Sequence, residues 1–397
     1  MTTSNLLEFD IIIVGCSFVG MTSALALSKN HSHLKIAVIE KQNVFASVKA
    51  NDGRAYALSK SSLDLLQEIN ILPNILDTSG IIKQINITDG KCPYVLHFDT
   101  QQTANYLGII TENHLLFEAL KTALQAQLNK NITLFCPNYY QEINFLQQKV
   151  VVLLDNNQQL TAPLLLACDG RFSLLRNKFN IYTYQKNYHQ TAIVFKINHT
   201  LSHQNIAFEK FFSGGPLAIL PLADNHQSSV VLILSHEQAQ LLLDLDNQNF
   251  VWQLQKQVYF ELGEIEIISE KFSYPLTAVQ AETFVYQQML LLGDSACGVH
   301  PIAGQGFNLA ISNLKLLLKL LQTQIMAGLP INQPQFLQNF ALQAKKQSVA
   351  MLFATDVLDS LFKKDSHLLG LARKLGLLAV NQSKTIKNFF ISKAGGR

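Results

Sequence analysis

The segment Met289–Asn308, MLLLGDSACGVHPIAGQGFN, decides the fold of this chain. Its apolar start, Met289–Leu292, predicts a short buried strand that ends at Gly293-Asp294. Gly304 and Gly306 then lead into an apolar helical pattern. This order predicts a carboxylate at a strand end and unpaired backbone N–H groups at a helix start, where the helix dipole favours an anionic group.

A second strand–turn–helix pattern lies near the beginning of the chain. Asp10–Val14 predicts a buried strand, Met21–Lys29 a helix and Leu34–Glu40 the next strand, with the turn Gly15-Cys16-Ser17-Phe18-Val19-Gly20 after the first strand. In a dinucleotide-binding unit the first glycine makes the tight turn, the last allows close helix–strand packing, and an acid ending the second strand holds ribose hydroxyls. Ser17 stands where the middle glycine is usual. The alternative is an ordinary tight turn after a core strand.

A third pattern, Leu164–Arg176 (LLLACDGRFSLLR), predicts a buried strand that ends at Asp169-Gly170. On its own, such an Asp-Gly pair is also a common surface turn. The chain has five arginines, and Arg54, Arg171 and Arg176 lie beside the motifs. The planar guanidinium of arginine, with its fork of N–H donors, suits a phosphate site better than the ammonium group of lysine does. The positions of these arginines therefore favour a nucleotide site.

The rest of the chain predicts an α/β protein of mixed organisation. Helices are expected at Ser61–Ile69 and Asn113–Leu128. Strands are expected between Lys83 and Ile110, and two more, Val150–Leu154 and Pro163–Ala167, should lead back to the core sheet. From Tyr182 to about Tyr286 short strands should dominate. After Gly306 the pattern is helical almost to the end. We therefore predict a parallel sheet of the dinucleotide-binding type (1–82, 108–181 and 286–345), interrupted by a β-rich domain (83–107 and 182–285), with a helical C-terminal tail (346–397).

Composition narrows the class of protein. Of 397 residues, 48% are hydrophobic and 15% charged, which is typical of a globular chain, and a net charge of +3 argues against nucleic acid as a partner. The five scattered cysteines indicate reduced thiols, with neither a disulfide frame nor a metal site. No secretory signal is recognised, and no apolar run reaches the ~18 residues of a membrane span. We expect a cytoplasmic protein, with a peripheral contact to the inner membrane left open.

Taken in order, the motifs resemble those of the class A flavoprotein aromatic hydroxylases, which have the para-hydroxybenzoate hydroxylase fold. The resemblance covers nearly the whole chain. It narrows to the ubiquinone-biosynthesis hydroxylases, which oxidise the ring of a polyprenylated phenol (2-polyprenylphenol or 2-polyprenyl-6-methoxyphenol). The segments that carry this narrower resemblance are Asp52–Ser59, Phe208–Phe212, Gly215–Leu222, Phe353–Leu361 and Arg373–Leu377.

The resemblance implies an FAD site and assigns residues to it. Gly15, Ser17, Gly20 and Glu40 would hold the adenosine half, Asp294 the ribitol chain, and the backbone of Gly304, Gln305, Gly306, Phe307 and Asn308 would face the flavin ring. Arg54 and Asn113 match cofactor-contacting positions, and Asp169 matches an aspartate implicated in binding both FAD and reduced nicotinamide. His300 and Pro301 are candidates to face the substrate, although His300 could equally be a local hydrogen-bond donor.

The implied chemistry is that of a flavoprotein monooxygenase. NAD(P)H, a transient co-substrate without its own glycine-rich unit, reduces FAD; O2 then forms a flavin C4a-hydroperoxide, which hydroxylates a lipophilic phenol. No side-chain nucleophile and no metal is required, and the resemblance names no catalytic side chain. The alternatives are a flavin hydroxylase of another aromatic or lipid substrate, and a non-catalytic flavoprotein scaffold of a quinone-biosynthesis complex.

Several residues are open to two interpretations. Cys168 and Cys297 replace an expected alanine and histidine, and simple packing as small hydrophobes is the expectation for both. Phe212, Leu217, Ile219, Pro221 and Leu222 would line a substrate wall or belong to plain core. The tail Val349–Lys387 combines apolar and basic residues, so it would either touch a membrane or pack against the flavin domain.

Overall fold

A computed structural model describes residues 6–46, 53–89, 95–99, 106–212, 214–299 and 305–363. The strands are β1 (Leu6–Glu8), β2 (Ile11–Val14), β3 (Ile36–Ile39), β4 (Ala55–Ser59), β5 (Gly80–Ile82), β6 (Gln84–Asp89), β7 (Val95–Asp99), β8 (Gly108–Glu112), β9 (Ile132–Phe135), β10 (Tyr140–Phe145), β11 (Val150–Leu154), β12 (Gln159–Ala162), β13 (Leu164–Ala167), β14 (Thr183–His199), β15 (Ile206–Phe212), β16 (Gly215–Pro221), β17 (Gln227–Ser235), β18 (Ile265–Ile267), β19 (Phe272–Ala281), β20 (Val285–Tyr286), β21 (Met289–Leu291) and β22 (Cys297–Gly298). The helices are α1 (Phe18–Asn30), α2 (Lys60–Glu68), α3 (Leu72–Ile75), α4 (Asn113–Gln127), α5 (Leu174–Lys178), α6 (His236–Leu243), α7 (Asn247–Leu262), α8 (Gln305–Met326) and α9 (Pro334–Lys363), with a 3₁₀ turn at Gly293–Ser295.

The central sheet has the strand order β20-β21-β13-β2-β3-β9, and all its pairings are parallel except that of β20 with β21. Its inner strands are apolar on both faces because helices cover them; all four residues of β2, for example, are buried. The carboxyl ends of β2, β3, β13 and β21 consequently meet at one edge. This confirms the predicted α/β class with its dinucleotide-binding sheet.

The strands outside the central sheet form three further sheets in the described part of the chain. β1-β12-β11-β10 is one, β4-β8-β5 a second, and β22-β19-β14-β17-β16-β15-β6-β7, with β18 paired to β14, the third and largest. The prediction that Val150–Leu154 leads back to the core sheet was wrong: this strand, β11, pairs with β10 and β12 instead. Its alternating burial fits a sheet with one exposed face.

The segment from Tyr182 to Tyr286, for which the sequence predicts mainly short strands, contains the 17-residue strand β14 and two helices, α6 and α7. Helix α7 buries Phe250, Leu254, Val258 and Leu262 against one face of the large sheet. These residues recur every fourth position, a helical signal that was present in the sequence. Helix α7 therefore covers one face of the sheet, and the other face packs on β8 and α9.

Helices α8 and α9 follow the site segment and pack against each other. Helix α9 runs without a break across the proposed boundary at residues 345 and 346; the division into domains itself stays a prediction. Residues 364–397 of the predicted tail lie outside the described residues. Of the helices that the structure describes, none is long and apolar enough to cross a membrane.

Candidate cofactor site

The glycine turn after β2 is sterically fixed. Gly15 has a φ of +98°, and a Cβ at this position would lie 2.5 Å from the carbonyl oxygen of Cys168. A Cβ on Gly20 would lie 1.9 Å from the carbonyl oxygen of Gly15. Both positions therefore exclude any larger residue, as the tight turn and the close helix–strand packing predicted from the sequence require.

Ser17 is the N-cap residue of α1, and it is exposed at the carboxyl edge of the sheet. Its side chain makes no capping hydrogen bond. The first turn of α1 contains no acidic residue, so the positive end of the helix dipole is not neutralised there. The helix start and the Ser17 hydroxyl can thus both donate to an anionic group such as a pyrophosphate.

Glu40, at the end of β3, is held beside this turn. Its Oε2 accepts a hydrogen bond of 2.8 Å from the backbone N–H of Cys16, and its Oε1 accepts one of 2.9 Å from that of Gln42. These contacts orient the carboxylate, and the side chain is only partly buried. Each oxygen has a second lone pair, so Glu40 can still accept from ribose hydroxyls.

Asp169 follows β13 at the same edge. Its Oδ2 accepts a 3.1 Å hydrogen bond from the N–H of Leu175. Its Oδ1 is buried and has no hydrogen-bond partner within the described residues. A buried carboxylate oxygen without a donor is costly, and a ligand donor would satisfy it.

Asp294 lies in the 3₁₀ turn that follows β21. Its Oδ2 is 3.4 Å from Nε of Arg171, and its side chain keeps 39% of its surface exposed. Burial nevertheless raises the pKa of this carboxyl, against the lowering effect of the Arg171 charge. Asp294 is thus largely surrounded by protein, and solvent still reaches part of its carboxylate, so the stem of a cofactor could contact it.

The two arginines after Asp169 differ in their surroundings. Arg171 also donates to the carbonyls of Thr277 (3.0 Å) and Val299 (3.4 Å), so it joins the large sheet to the Asp294 turn. Arg176 is buried and donates to the carbonyls of Ser295 (2.9 Å) and Arg171 (2.8 Å). Of the arginines that lie beside the motifs, Arg176 therefore uses its guanidinium inside the protein, where it braces these turns.

Arg54 and Asn113 are brought together by the pairing of β4 with β8. The backbone N–H of Asn113, which opens α4, donates to the carbonyl of Arg54 over 3.0 Å. The guanidinium carbon of Arg54 lies 4.6 Å from the centre of the Phe272 ring on β19. Arg54 therefore lies where the β4-β8-β5 sheet meets the large sheet.

Two of the predicted site residues at the start of α8 direct their side chains into the protein. The Asn308 side-chain oxygen accepts from the N–H of Ser59 (3.0 Å) and the hydroxyl of Ser62 (2.7 Å), and its nitrogen donates to the carbonyl of Ala57 (2.8 Å). Phe307 is buried, with its ring centre 5.2 Å from that of Tyr56. These side chains tie α8 to β4 and α2 and are not directed to a ligand.

The remaining predicted site residues divide into two groups. Gln305 and Gly306 begin α8, where a Cβ on Gly306 would have no neighbour nearer than 4.0 Å. Gly304, His300 and Pro301 lie outside the described residues. Arg171 was not assigned a site role from the sequence. Its place directly after Asp169-Gly170 was the available signal.

The cysteines near the edge are buried thiols. Cys16, Cys168 and Cys297 expose no more than 6% of their surface. Burial raises the pKa of both Cys168 and Cys297 to about 12, so neither forms a thiolate at neutral pH. Their surroundings favour the packing interpretation.

The residues suggested as a substrate wall belong mostly to core. Leu217 and Ile219 are fully buried in the core between the sheet and α7, which contains Phe250 of that helix, and Phe212 packs against the same cluster. Leu222 packs with Ile82 in a separate small core. Because side chains alternate along a strand, Leu217 and Ile219 point to the face that α7 covers, so the wall interpretation was wrong for them.

Comparisons with known proteins agree with this geometry. Residues 8–327 match the FAD binding domain family. The ubiquinone hydroxylase UbiL of Rhodospirillum rubrum is 32% identical over 98% of this chain and 89% of that protein. The ubiquinone hydroxylase UbiM of Neisseria meningitidis is 28% identical over 98% of this chain and 85% of that protein. The p-nitrophenol 4-monooxygenase PnpA of Pseudomonas putida has the same fold, with a TM-score of 0.77 and 15% identity over 99% of both chains.

Proposed function

Since the chain belongs to the FAD binding domain family, we propose that it hydroxylates the aromatic ring of a polyprenylated phenol in ubiquinone biosynthesis, using FAD, NAD(P)H and O2. The observation that carries this proposal is the near full-length similarity to ubiquinone hydroxylases, which includes the β-rich half of the chain as well as the cofactor-binding half. The protein is a flavoprotein monooxygenase.

The residues at the carboxyl edge fit FAD. A Cβ on Gly15 or Gly20 would clash with backbone, so both positions keep the close turn of a dinucleotide-binding unit, and a ligand hydroxyl could donate to the unpartnered Oδ1 of Asp169. We assign the ribose to Glu40 and the ribitol hydroxyls to Asp294. The pyrophosphate would meet Ser17 and the start of α1, where backbone N–H groups need partners.

FAD, when bound, supplies the redox chemistry that activates O2 for transfer to a ring carbon. The protein binds and orients the cofactor and the substrate, and it excludes water from them. The first N–H groups of α8, Gln305–Asn308, would face the part of the flavin that becomes negative on reduction, where the helix dipole stabilises it. Arg54 and Asn113 would contact the cofactor from the β4-β8-β5 side.

The test is product formation by the purified, FAD-loaded protein. With NADH or NADPH, O2 and 2-prenylphenol, we expect a product heavier by one oxygen, and ¹⁸O2 should label that oxygen. Mass spectrometry measures both, and a series of ring-substituted prenylphenols identifies the position attacked. A bound, reducible flavin with no hydroxylated product from any phenol would instead favour the scaffold of a quinone-biosynthesis complex.

A membrane contact through α9 is a second part of the proposal. Leu342, Val349, Phe353 and Val357 are 56%, 45%, 71% and 44% exposed, and their spacing of seven, four and four residues places them on one stripe of the helix. Lys346 lies on this stripe as well. An exposed apolar stripe with a basic residue suits the surface of an anionic bilayer.

We expect the protein to float with vesicles that contain phosphatidylglycerol, and Phe353→Glu to float about 30-fold less, since burying one phenylalanine is worth about 2 kcal/mol. Leu241→Glu is the matched control, because Leu241 is 70% exposed on α6, away from the stripe. Flotation at low and high salt measures the effect. No lipid-dependent flotation at either salt concentration would rule out the contact.

A further inference from the structure

Glu209 on β15 points to the face of the large sheet that α7 does not cover. The next residue, Lys210, reaches α7, where its Nζ lies 2.7 Å from Oε1 of Glu261. Because side chains alternate along a strand, Glu209 lies on the opposite face. Ala207 shares that face and packs with Ile110 of β8. Glu209 is therefore directed to the sheet face that packs on β8 and α9.

The residues around Glu209 on this face do not cover it completely. Glu209 pairs with Ala218 on β16, and the row continues through Val231 on β17 to Val194 on β14. Glu209 and Val231 keep part of their surface exposed although both lie inside the sheet, whereas Val194 at the end of this row is 3% exposed. Part of the Glu209 side chain is thus left uncovered on this face, with the small side chain of Ala218 beside it and α9 packed near β15 and β16.

The carboxylate has no partner in the part of the chain that the structure describes: no hydrogen bond and no ion pair joins Glu209 to another residue. Its neighbours across the strands, Ile87 and Ala218, carry no side-chain donor. Burial alone raises the pKa of this carboxyl to about 7. A desolvated acid without a donor destabilises the fold, which is the expected cost of a group kept for a ligand.

No charge on the facing elements contributes to that raised pKa. Lys196 is paired with Glu112 over 2.9 Å, and Asp356 on α9 is paired with Lys186 over 2.9 Å. Within the described residues, the titratable and charged groups on this face and on the elements packed against it are Arg54, Asp89, Glu112, Lys186, Tyr188, Lys196, Tyr274, Lys345, Lys346 and Asp356.

We propose that Glu209 is a catalytic residue that binds the ring hydroxyl of the phenol and accepts its proton. The inference rests on the proposed function. The phenol O–H bond breaks and its proton passes to the carboxylate, which leaves a phenolate whose ring carbon is a stronger nucleophile toward the incoming oxygen. When the hydroxylated ring loses its C–H proton to water and becomes aromatic again, the Glu209 proton returns to the phenol oxygen.

The test compares Glu209→Gln and Glu209→Asp with the wild-type holoenzyme, using 2-prenylphenol as the probe. We expect Glu209→Gln to retain FAD and to form product about 100-fold more slowly, in the range of a lost general base. The wild-type rate should rise as the pH increases through about 7, because only the ionised carboxylate accepts a proton. Glu209→Gln should lose that rise, and Glu209→Asp should keep it at a lower rate.

Glu266→Gln is the matched control, an exposed glutamate on β18 of the same sheet, and it should behave as wild type. Equal turnover and equal pH profiles for wild type and Glu209→Gln would overturn the assignment of Glu209 and leave the proposed function intact. Loss of FAD from both Glu209 variants would also overturn it, since Glu209 would then support the fold. A wild-type protein that hydroxylates no phenol would overturn the proposed function, and this assignment with it.

Discussion

Replacing Asp294 by alanine should leave the purified protein without FAD. The carboxylate is partly exposed beside Arg171, and it is the group that we assign to the ribitol hydroxyls. Hydrogen bonds to a charged acceptor are each worth about 1.5–3 kcal/mol, so losing them should weaken FAD binding about 100-fold or more. The substitution also leaves Arg171 without its acidic partner. The ratio of flavin to protein absorbance, and titration of the apoprotein with FAD, measure the effect.

Two variants make the Asp294 result specific. Asp77→Ala removes an exposed acid from the turn after α3 and should retain FAD fully. Asp294→Asn keeps the shape but loses the charge, so we expect binding between that of wild type and that of the alanine variant. If Asp294→Ala were purified with a full complement of FAD, the ribitol assignment would be wrong.

Gly20→Ala should unfold the glycine turn. The new Cβ would lie 1.9 Å from the Gly15 carbonyl oxygen, and backbone cannot move aside as a flexible side chain can. Overpacking of this kind costs about 3 kcal/mol, and here it also separates α1 from β2, so FAD binding should be lost as well. Urea denaturation of the apoprotein measures the free energy of unfolding.

Gly328→Ala is the matched control for this substitution. Gly328 has a φ of +66° and no atom within 4 Å of the added Cβ, so only backbone strain of about 1 kcal/mol is expected. The contrast between the two variants separates close approach from conformational strain. A Gly20→Ala protein as stable as Gly328→Ala would show that the turn can relax around a methyl group.

The nucleotide-binding half could be predicted because its signals are local. An apolar run followed by a glycine turn specifies β2 and α1, and strand-end acids follow β3, β13 and β21. The rule that parallel strands end at one edge then brings Glu40, Asp169 and Asp294 together without further information. The motif order along the chain predicted the same arrangement.

The roles of individual side chains could be predicted less well from the sequence, because they depend on partners far away along the chain. Asn308 binds Ser59 and Ser62, about 250 positions earlier, and Arg176 braces a turn more than 100 positions later. A motif shows that a polar residue is present, but it does not show which group satisfies it. Tertiary packing turned both residues inward.

The sequence by itself determined the α/β class, the edge where the cofactor binds and the acids that line it, since apolar runs and glycine turns act over a few neighbouring residues. Only the tertiary structure decided which face of the large sheet is core. Strand alternation offers two faces, and the position of α7 buries Leu217 and Ile219 while Glu209 is left on the face that packs on β8 and α9. The face that a helix covers is set by long-range packing, which no local pattern encodes.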